Sequence, residues 1–327
     1  MINKLSYFVQ YDHDPYLNLA LEEYFLRHVE VGQCILYLWQ NANTIVIGKN
    51  QNPWSECRVT EFNAKGGRIA RRLSGGGAVY HDLGNQNFTF LLKEKDYDVA
   101  RQTRIILKAL ASLGIAAELT GRNDLTIAGR KFSGHAYYSS RGNSYQHGTI
   151  MVDVDENKLS QFLTVSKAKL EKRSIASVRS RVINRREVLP KLSLESLREA
   201  LIKATSEEFS LAAEPLEESF IDKEAVQVLR EKYASWDFLY GSRLSFPEKL
   251  EGAFSWGEVK LEYKVERGLI EDLAIYSDSL EADLIASIPE LLKGTRYVLE
   301  EISAKLNLLE HKEIKKDLAE LFAKALE

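Results

Sequence analysis

Apolar residues recur at helical spacing soon after the chain begins. Leu17, Leu21, Tyr24, Phe25 and His28 share one face of a segment that opens on Asp14-Pro15 and closes at Gly32. Asp is a capping side chain, Pro suits the first helical turn, and Gly suits the end. The pattern then shortens to strand length. Residues 34–39 and 44–47 predict a hairpin across Gln40-Asn41-Ala42-Asn43, and 52–64 predicts a short helix. Strands are expected at 68–70, 78–80 and 87–92. Val99, Thr103, Ile106, Leu107 and Leu110 mark a helix over 98–113 that Gly114 stops. A strand near 116–119 follows, then arms 125–127 and 131–132 about the turn Ala128-Gly129. The sheet continues at 137–139 and 145–152, with 141–144 turning between them. Helices are expected at 155–163, 193–208 and 222–233, and 236–241 looks like an exit segment. The tail alternates like a small hairpin at 257–264 and 269–276. Helical patterns follow at 280–287, 295–306 and 310–326.

The pattern predicts an α+β protein: a mixed, mostly antiparallel sheet flanked by helices, with a small α+β C-terminal domain. Residues 1–241 form the expected main domain, 242–249 with Pro247 the linker, and 250–327 the accessory domain. The 327 residues suffice for two cores. A net charge of −3 gives no general basic surface for nucleic acid. No apolar run reaches the roughly 18 residues of a membrane span, and Met1–Ser6 has no signal-peptide core, so a membrane role is not expected. Two cysteines, Cys34 within an apolar run and Cys57, fit a reducing cytoplasm.

The candidate chemistry begins with Arg71-Arg72-Leu73-Ser74-Gly75-Gly76-Gly77-Ala78-Val79-Tyr80-His81-Asp82-Leu83-Gly84-Asn85. Three glycines between strands leave bare backbone whose N–H groups can face an anion. Arg71 and Arg72 stand beside it as forked donors for carboxylate or phosphate. Neither a Walker A pattern nor a dinucleotide fingerprint is present. A second informative stretch runs from Gly121 to Ala136. In it Lys131 is either a cation for carboxylate and phosphate or a solvated hairpin lysine. Asn123-Asp124 either holds Mg²⁺ or caps the turn after Arg122.

The fifteen-residue string resembles the lipoate-binding loop of lipoate–protein ligases, relatives of biotin ligases and octanoyltransferases. Arg122-Asn123-Asp124 with Gly129-x-Lys131-Phe132-Ser133-Gly134-x-Ala136 resembles the family's second motif. His147-Gly148-Thr149-Ile150 is similar to its His-Gly-Thr-Leu element, and Ser177-Val178-Arg179-Ser180-Arg181-Val182-Ile183-Asn184 to its adenylate-binding loop. Trp39-x-Asn41, Ile45-Val46-Ile47-Gly48 and Gln51-Asn52-Pro53-Trp54 match the N-terminal pattern. The matches run in order through about the first 240 residues.

The resemblance implies an ATP-dependent ligase that converts lipoate, or octanoate, to acyl-AMP. It then passes the acyl group to a lysine of an apo lipoyl-carrier domain, on a dehydrogenase E2 or a glycine-cleavage H protein. It implies Lys131 as the catalytic cation. Substrate and ATP would be held by Arg72, Ser74, Gly75, Gly76, Gly77, Ala78, Val79, Tyr80, His81, Asn85, Lys131, Ala136, His147, Gly148, Thr149, Val178, Arg179, Ser180 and Arg181, with Mg²⁺ at Asn123 and Asp124. Tyr37, Trp39 and Ala136 are candidate walls of the acyl slot. His81 and His147 either orient the loop or act as a base, and no carboxylate partner for either is evident from sequence. The chain departs from the family pattern with Arg173-Ser174 before the adenylate loop and Arg185-Arg186 after it. Two rival readings are an acyltransferase of the same fold, which would need a cysteine nucleophile, and a non-catalytic binder of lipoate or its carrier.

Overall fold

The computed structural model describes residues 1–120, 124–163, 192–240 and 248–326. Asn123, Val178, Arg179, Ser180, Arg181, the two departures from the family pattern and most of the expected linker lie outside the described residues. The chain divides into two compact units, each interrupted in sequence. The first is Met1–Val46, Cys57–Ala70 and Val79–Ser235; the second is Ile47–Glu56, Arg71–Ala78 and Trp236–Glu327.

In chain order the elements begin with β1 Lys4–Val9, α1 Pro15–His28, β2 Gln33–Trp39 and β3 Thr44–Ile47. Next come α2 Pro53–Glu56, α3 Val59–Ala64, β4 Arg68–Arg71, β5 Val79–His81, β6 Asn85–Lys93 and α4 Val99–Ser112. Then follow β7 Glu118–Thr120, β8 Asp124–Ile127, β9 Arg130–Ser140, β10 Asn143–Met151, α5 Glu156–Phe162, α6 Leu194–Phe209, β11 Glu214–Pro215 and α7 Lys223–Ala234. The first unit is built on an eight-stranded sheet of order β11-β1-β2-β6-β10-β9-β8-β7. β11, β1 and β2 run parallel, and the pairs from β2 through β6, β10, β9 and β8 to β7 are antiparallel.

Local chemistry explains the ends of these elements. Asp14 Oδ1 accepts from Tyr16 N at 3.1 Å ahead of Pro15, as the sequence predicts. Asp98 caps α4, and Ser193 with Ser196 forms a reciprocal capping box for α6. Ala128-Gly129 and Arg141-Gly142 each take two successive positive φ values, the geometry that closes a two-residue hairpin.

Two expectations fail here. The hairpin of 34–39 with 44–47 does not form. β2 lies between β1 and β6, whereas β3 is the middle of a separate sheet of order β4-β3-β5. The four-residue connection is held away from a hairpin turn by its own side chains. Gln40 Nε2 donates to Leu83 O at 2.8 Å, Asn41 Oδ1 accepts from Asn18 Nδ2 at 3.0 Å, and Asn43 sits at φ 43°. The helix expected over 52–64 is two helices, because Cys57 leaves it to bridge Leu163.

The second unit contains α8 Trp236–Tyr240, a meander β12 Glu248–Phe254, β13 Gly257–Glu266 and β14 Leu269–Ser277, and α9 Ala282–Leu292, α10 Leu299–Leu306 and α11 Lys312–Leu326. Its core is Trp256, Leu261, Tyr263, Ile285, Leu318, Phe322 and their neighbours. β12 was not expected; the sequence reading ended its linker inside it. No helix among the described residues is long and apolar enough to cross a membrane.

Candidate active site

Within the first unit, strand register brings Tyr37, Trp39, Ala136, His147 and Thr149 onto one face of the sheet. Directly opposed residues of antiparallel strands point the same way. One transverse row is therefore Ala136–His147–Thr89–Tyr37, and the next is Gly134–Thr149–Asn87–Trp39. Tyr37, Trp39 and Ala136, the candidate slot walls, are all buried on this face.

Lys131 stands just after the Ala128-Gly129 turn, where a register shift disturbs the β8–β9 pairing. Its Nζ donates to Asp124 Oδ1 at 2.8 Å and lies 3.1 Å from where a Cβ of Gly134 would be. Glycine at 134 thus keeps the space over which the ammonium rests. Gly148 is constrained more tightly: a Cβ there would lie 2.6 Å from the Phe88 ring and 2.8 Å from Gly134 O.

The structure supplies the carboxylate partner that the sequence does not show. His147 Nδ1 is 2.9 Å from Glu22 Oε1, with both side chains buried. Thr89 Oγ1 donates to the same carboxylate oxygen at 2.7 Å, and Trp39 Nε1 donates to Thr89 Oγ1 at 3.0 Å. Glu22 comes from α1, as does Asn18 one turn earlier. Asn18 accepts from Tyr37 and donates to Asn41, whose amide meets His81 Nδ1 at 3.3 Å. The available signal was Asn18 and Glu22 at i, i+4, one turn apart on a helix whose face is mostly apolar. Tyr80 and His81 are buried on β5, and the Tyr80 hydroxyl donates to Asn43 Oδ1 at 3.2 Å.

His135 is not on this face. It is buried, with Nε2 3.2 Å from Ser133 Oγ and Nδ1 3.0 Å from the Gln146 amide. Burial, then the nearby Lys131 and His147, pushes its pKa from 6.5 down to about 3. The folded protein therefore refuses a proton that the unfolded chain accepts. Stability is complete above about pH 6.5 and declines as the pH falls toward 3, by up to about 1.4 kcal/mol per pH unit from this group. Urea titrations across that window should show a shallower acid loss for His135→Gln than for the natural protein. Equal slopes would remove His135 as the cause.

Within the second unit the glycine loop is packed backbone on backbone. Gly76 takes φ +89°, and its N–H donates to Ser279 O at 3.2 Å. A Cβ on Gly75 would lie 1.9 Å from Ser279 O, and one on Gly48 would lie 2.2 Å from Gly76 O. Arg72 folds over the loop. Its Nη2 donates to Gly75 O at 2.7 Å and Gly77 O at 2.8 Å, and its Nε donates to Ser74 Oγ at 3.1 Å. Arg71 departs from the expected role. Its guanidinium is buried and donates to the carbonyls of Gly48, Lys49, Gln51, Phe238 and Leu239. Arg71 is therefore a brace for the chain, not a donor held for an anion.

The catalytic-domain model of the lipoyl protein ligase A/B family matches residues 14–206, and the model of the bacterial lipoate protein ligase C-terminus matches 244–326. This chain belongs to the lipoate–protein ligase family. A lipoate-protein ligase A from Bdellovibrio bacteriovorus is 38% identical over 303 residues, 90% of this chain and 89% of that protein. The crystal structure of P. falciparum LipL1 in complex with lipoate shares 30% identity at a TM-score of 0.86, covering 96% of this chain and 98% of its own. A lipoate-protein ligase A bound with ATP shares 25% identity at a TM-score of 0.62, covering 73% and 98%. Family membership makes the chain a ligase enzyme, and the mixed sheet with a small C-terminal unit is the lipoate ligase fold.

Proposed function

We propose that the protein activates lipoate with ATP and joins it to the lysine of an apo lipoyl domain. The observation that carries this reading is Lys131, fixed by Asp124 over the bare backbone of Gly134 at one end of a buried face walled by Tyr37 and Trp39. In the first step a carboxylate oxygen bonds to the α-phosphorus while the bond to the β-phosphate oxygen breaks, and pyrophosphate leaves. In the second, the carrier lysine's neutral amine bonds to the acyl carbon, the anhydride C–O bond breaks, AMP leaves and the amine sheds a proton. Both transition states gather negative charge near the same oxygens, so one fixed ammonium serves both. Arg72, Ser74 and the loop from Gly75 to Val79 would bind substrate and ATP. So would Tyr80, His81, Asn85, Ala136, His147, Gly148 and Thr149 with the adenylate loop Val178–Arg181.

Mg²⁺ characteristically takes one or two protein oxygens and completes its shell with phosphate and water. Asp124 with Asn123 would suffice, and no group of three or more metal-binding side chains exists among the described residues. Mg²⁺ would neutralise phosphate charge there. We assign the protein to the cytoplasm and to the reuse of free lipoate.

The acyltransferase alternative needs an accessible thiolate. Cys34 is wholly buried, its pKa pushed far up by burial, and Cys57 is buried as well. Intact-mass analysis of an apo lipoyl domain, incubated with enzyme, lipoate and Mg²⁺ with and without ATP, tests the reading. A lipoyl mass gain that needs ATP is the expected result. Gain without ATP would mean transfer from another donor, and no gain with pyrophosphate release would point to a different carrier.

A further inference from the structure

Two buried polar atoms on the acyl face are left without a partner. Asn85 and Asn87 are each 1% exposed, and Asn85 Nδ2 donates to Asn87 Oδ1 at 2.9 Å. Asn85 Oδ1 and Asn87 Nδ2 then have none. In these amide orientations the idle donor is on Asn87 and the idle acceptor on Asn85; rotating both amides would exchange them. Buried polar groups are nearly always satisfied, so these two atoms are placed to take a partner from water or a bound ligand.

Their place says which part of the ligand. Asn87 is opposed by Trp39 on one side and Thr149 on the other, and Thr149 is opposed by Gly134, beneath the Lys131 ammonium. Gly134 and Asn87 are two strands apart, about 10 Å at ordinary strand spacing. That is comparable to the length of an extended eight-carbon acid. A carboxylate held by Lys131 thus brings the far end of its chain to Asn87 and Trp39. In lipoate that end carries the two ring sulfurs; in octanoate it is bare hydrocarbon.

We propose that Asn87 is a specificity-determining residue: its amide N–H donates to a dithiolane sulfur, and Asn85 fixes its rotation by donating to its oxygen. This inference rests on the ligase reading above. A weak N–H···S bond is sufficient, because discrimination comes mainly from the alternative. An alkyl end leaves the buried donor unpaired, and sites that hydrogen-bond a substrate group reject analogues lacking it.

The test is kcat/KM for lipoate and for octanoate, measured by ATP-dependent mass gain on an apo lipoyl domain. Asn87→Leu is expected to lower the lipoate-to-octanoate ratio about tenfold, equivalent to about 1.4 kcal/mol, with octanoate gaining. An unchanged ratio, or equal losses for both acids, overturns the assignment. A measurement on the natural protein needs no variant to fold: octanoate with its sixth carbon replaced by a thioether sulfur should be used faster than octanoate. Equal use of the two also overturns it. Absence of any gain with lipoate on the natural enzyme would instead strike the ligase reading, so the two failures are distinguishable.

Discussion

Lys131→Ala is expected to lower kcat/KM for lipoate adenylation by about a hundredfold to a thousandfold, the usual effect of deleting one fixed donor to a developing oxyanion. Melting should hardly move. The side chain is 41% exposed, and its ion pair with Asp124 is at the surface, where such pairs are worth little. Activity and stability are therefore separable at this position, which is what a test of mechanism needs. Lys131→Arg should restore little, because a planar, delocalised fork does not present its charge at the single point where the ammonium stands. Pyrophosphate release with lipoate and ATP, beside thermal melts of both variants, checks the prediction. Full adenylation by Lys131→Ala would remove this residue from the chemistry and leave the family's second motif without its main role.

The parts of the fold legible in the sequence were those where local chemistry decides. Asp14-Pro15 and Gly114 delimit helices because capping and φ are properties of single residues. Ala128-Gly129 and Arg141-Gly142 mark hairpins for the same reason. What failed depends on distant partners. The connection 40–43 has hairpin length, yet Gln40 and Asn41 are committed to Leu83 and Asn18, and the chain passes to another sheet. β12 was hidden because Glu248, Lys249 and Glu251 put charge where a strand usually carries β-branched residues. Its apolar positions were too few to declare a face. The site divides likewise. Lys131, Gly134, Gly148 and the glycine loop stand out as strings, whereas Glu22 is one glutamate on a helix until the fold sets it against His147 and Thr89. Asn87 acquires meaning only when its unpaired amide is seen beside Trp39.

Arg71→Ala is expected to cost about 3 kcal/mol or more of stability, and Arg71→Lys only somewhat less. The guanidinium is 4% exposed, and burial pushes its pKa from 12.5 down to about 10, so it remains charged at neutral pH. It stays buried because five carbonyl oxygens surround it: three from 48–51 and two from 238–239. Removing the donor leaves buried acceptors unpaired, each costing about 1–3 kcal/mol where water cannot replace it. An ammonium has three donors and no fork, so lysine cannot reach both chain segments together. Urea unfolding of the two variants against the natural protein is the measurement, and a midpoint for Arg71→Ala equal to the natural one would contradict the brace. The neighbouring Arg72 provides the contrast. Its side chain donates to Ser74, Gly75 and Gly77, so its loss should loosen the glycine loop, whereas Arg71 is the residue that joins 48–51 to 238–239. Two adjacent arginines that look equivalent in the sequence should thus separate in the laboratory, Arg71 by stability and Arg72 by affinity for the acid and ATP.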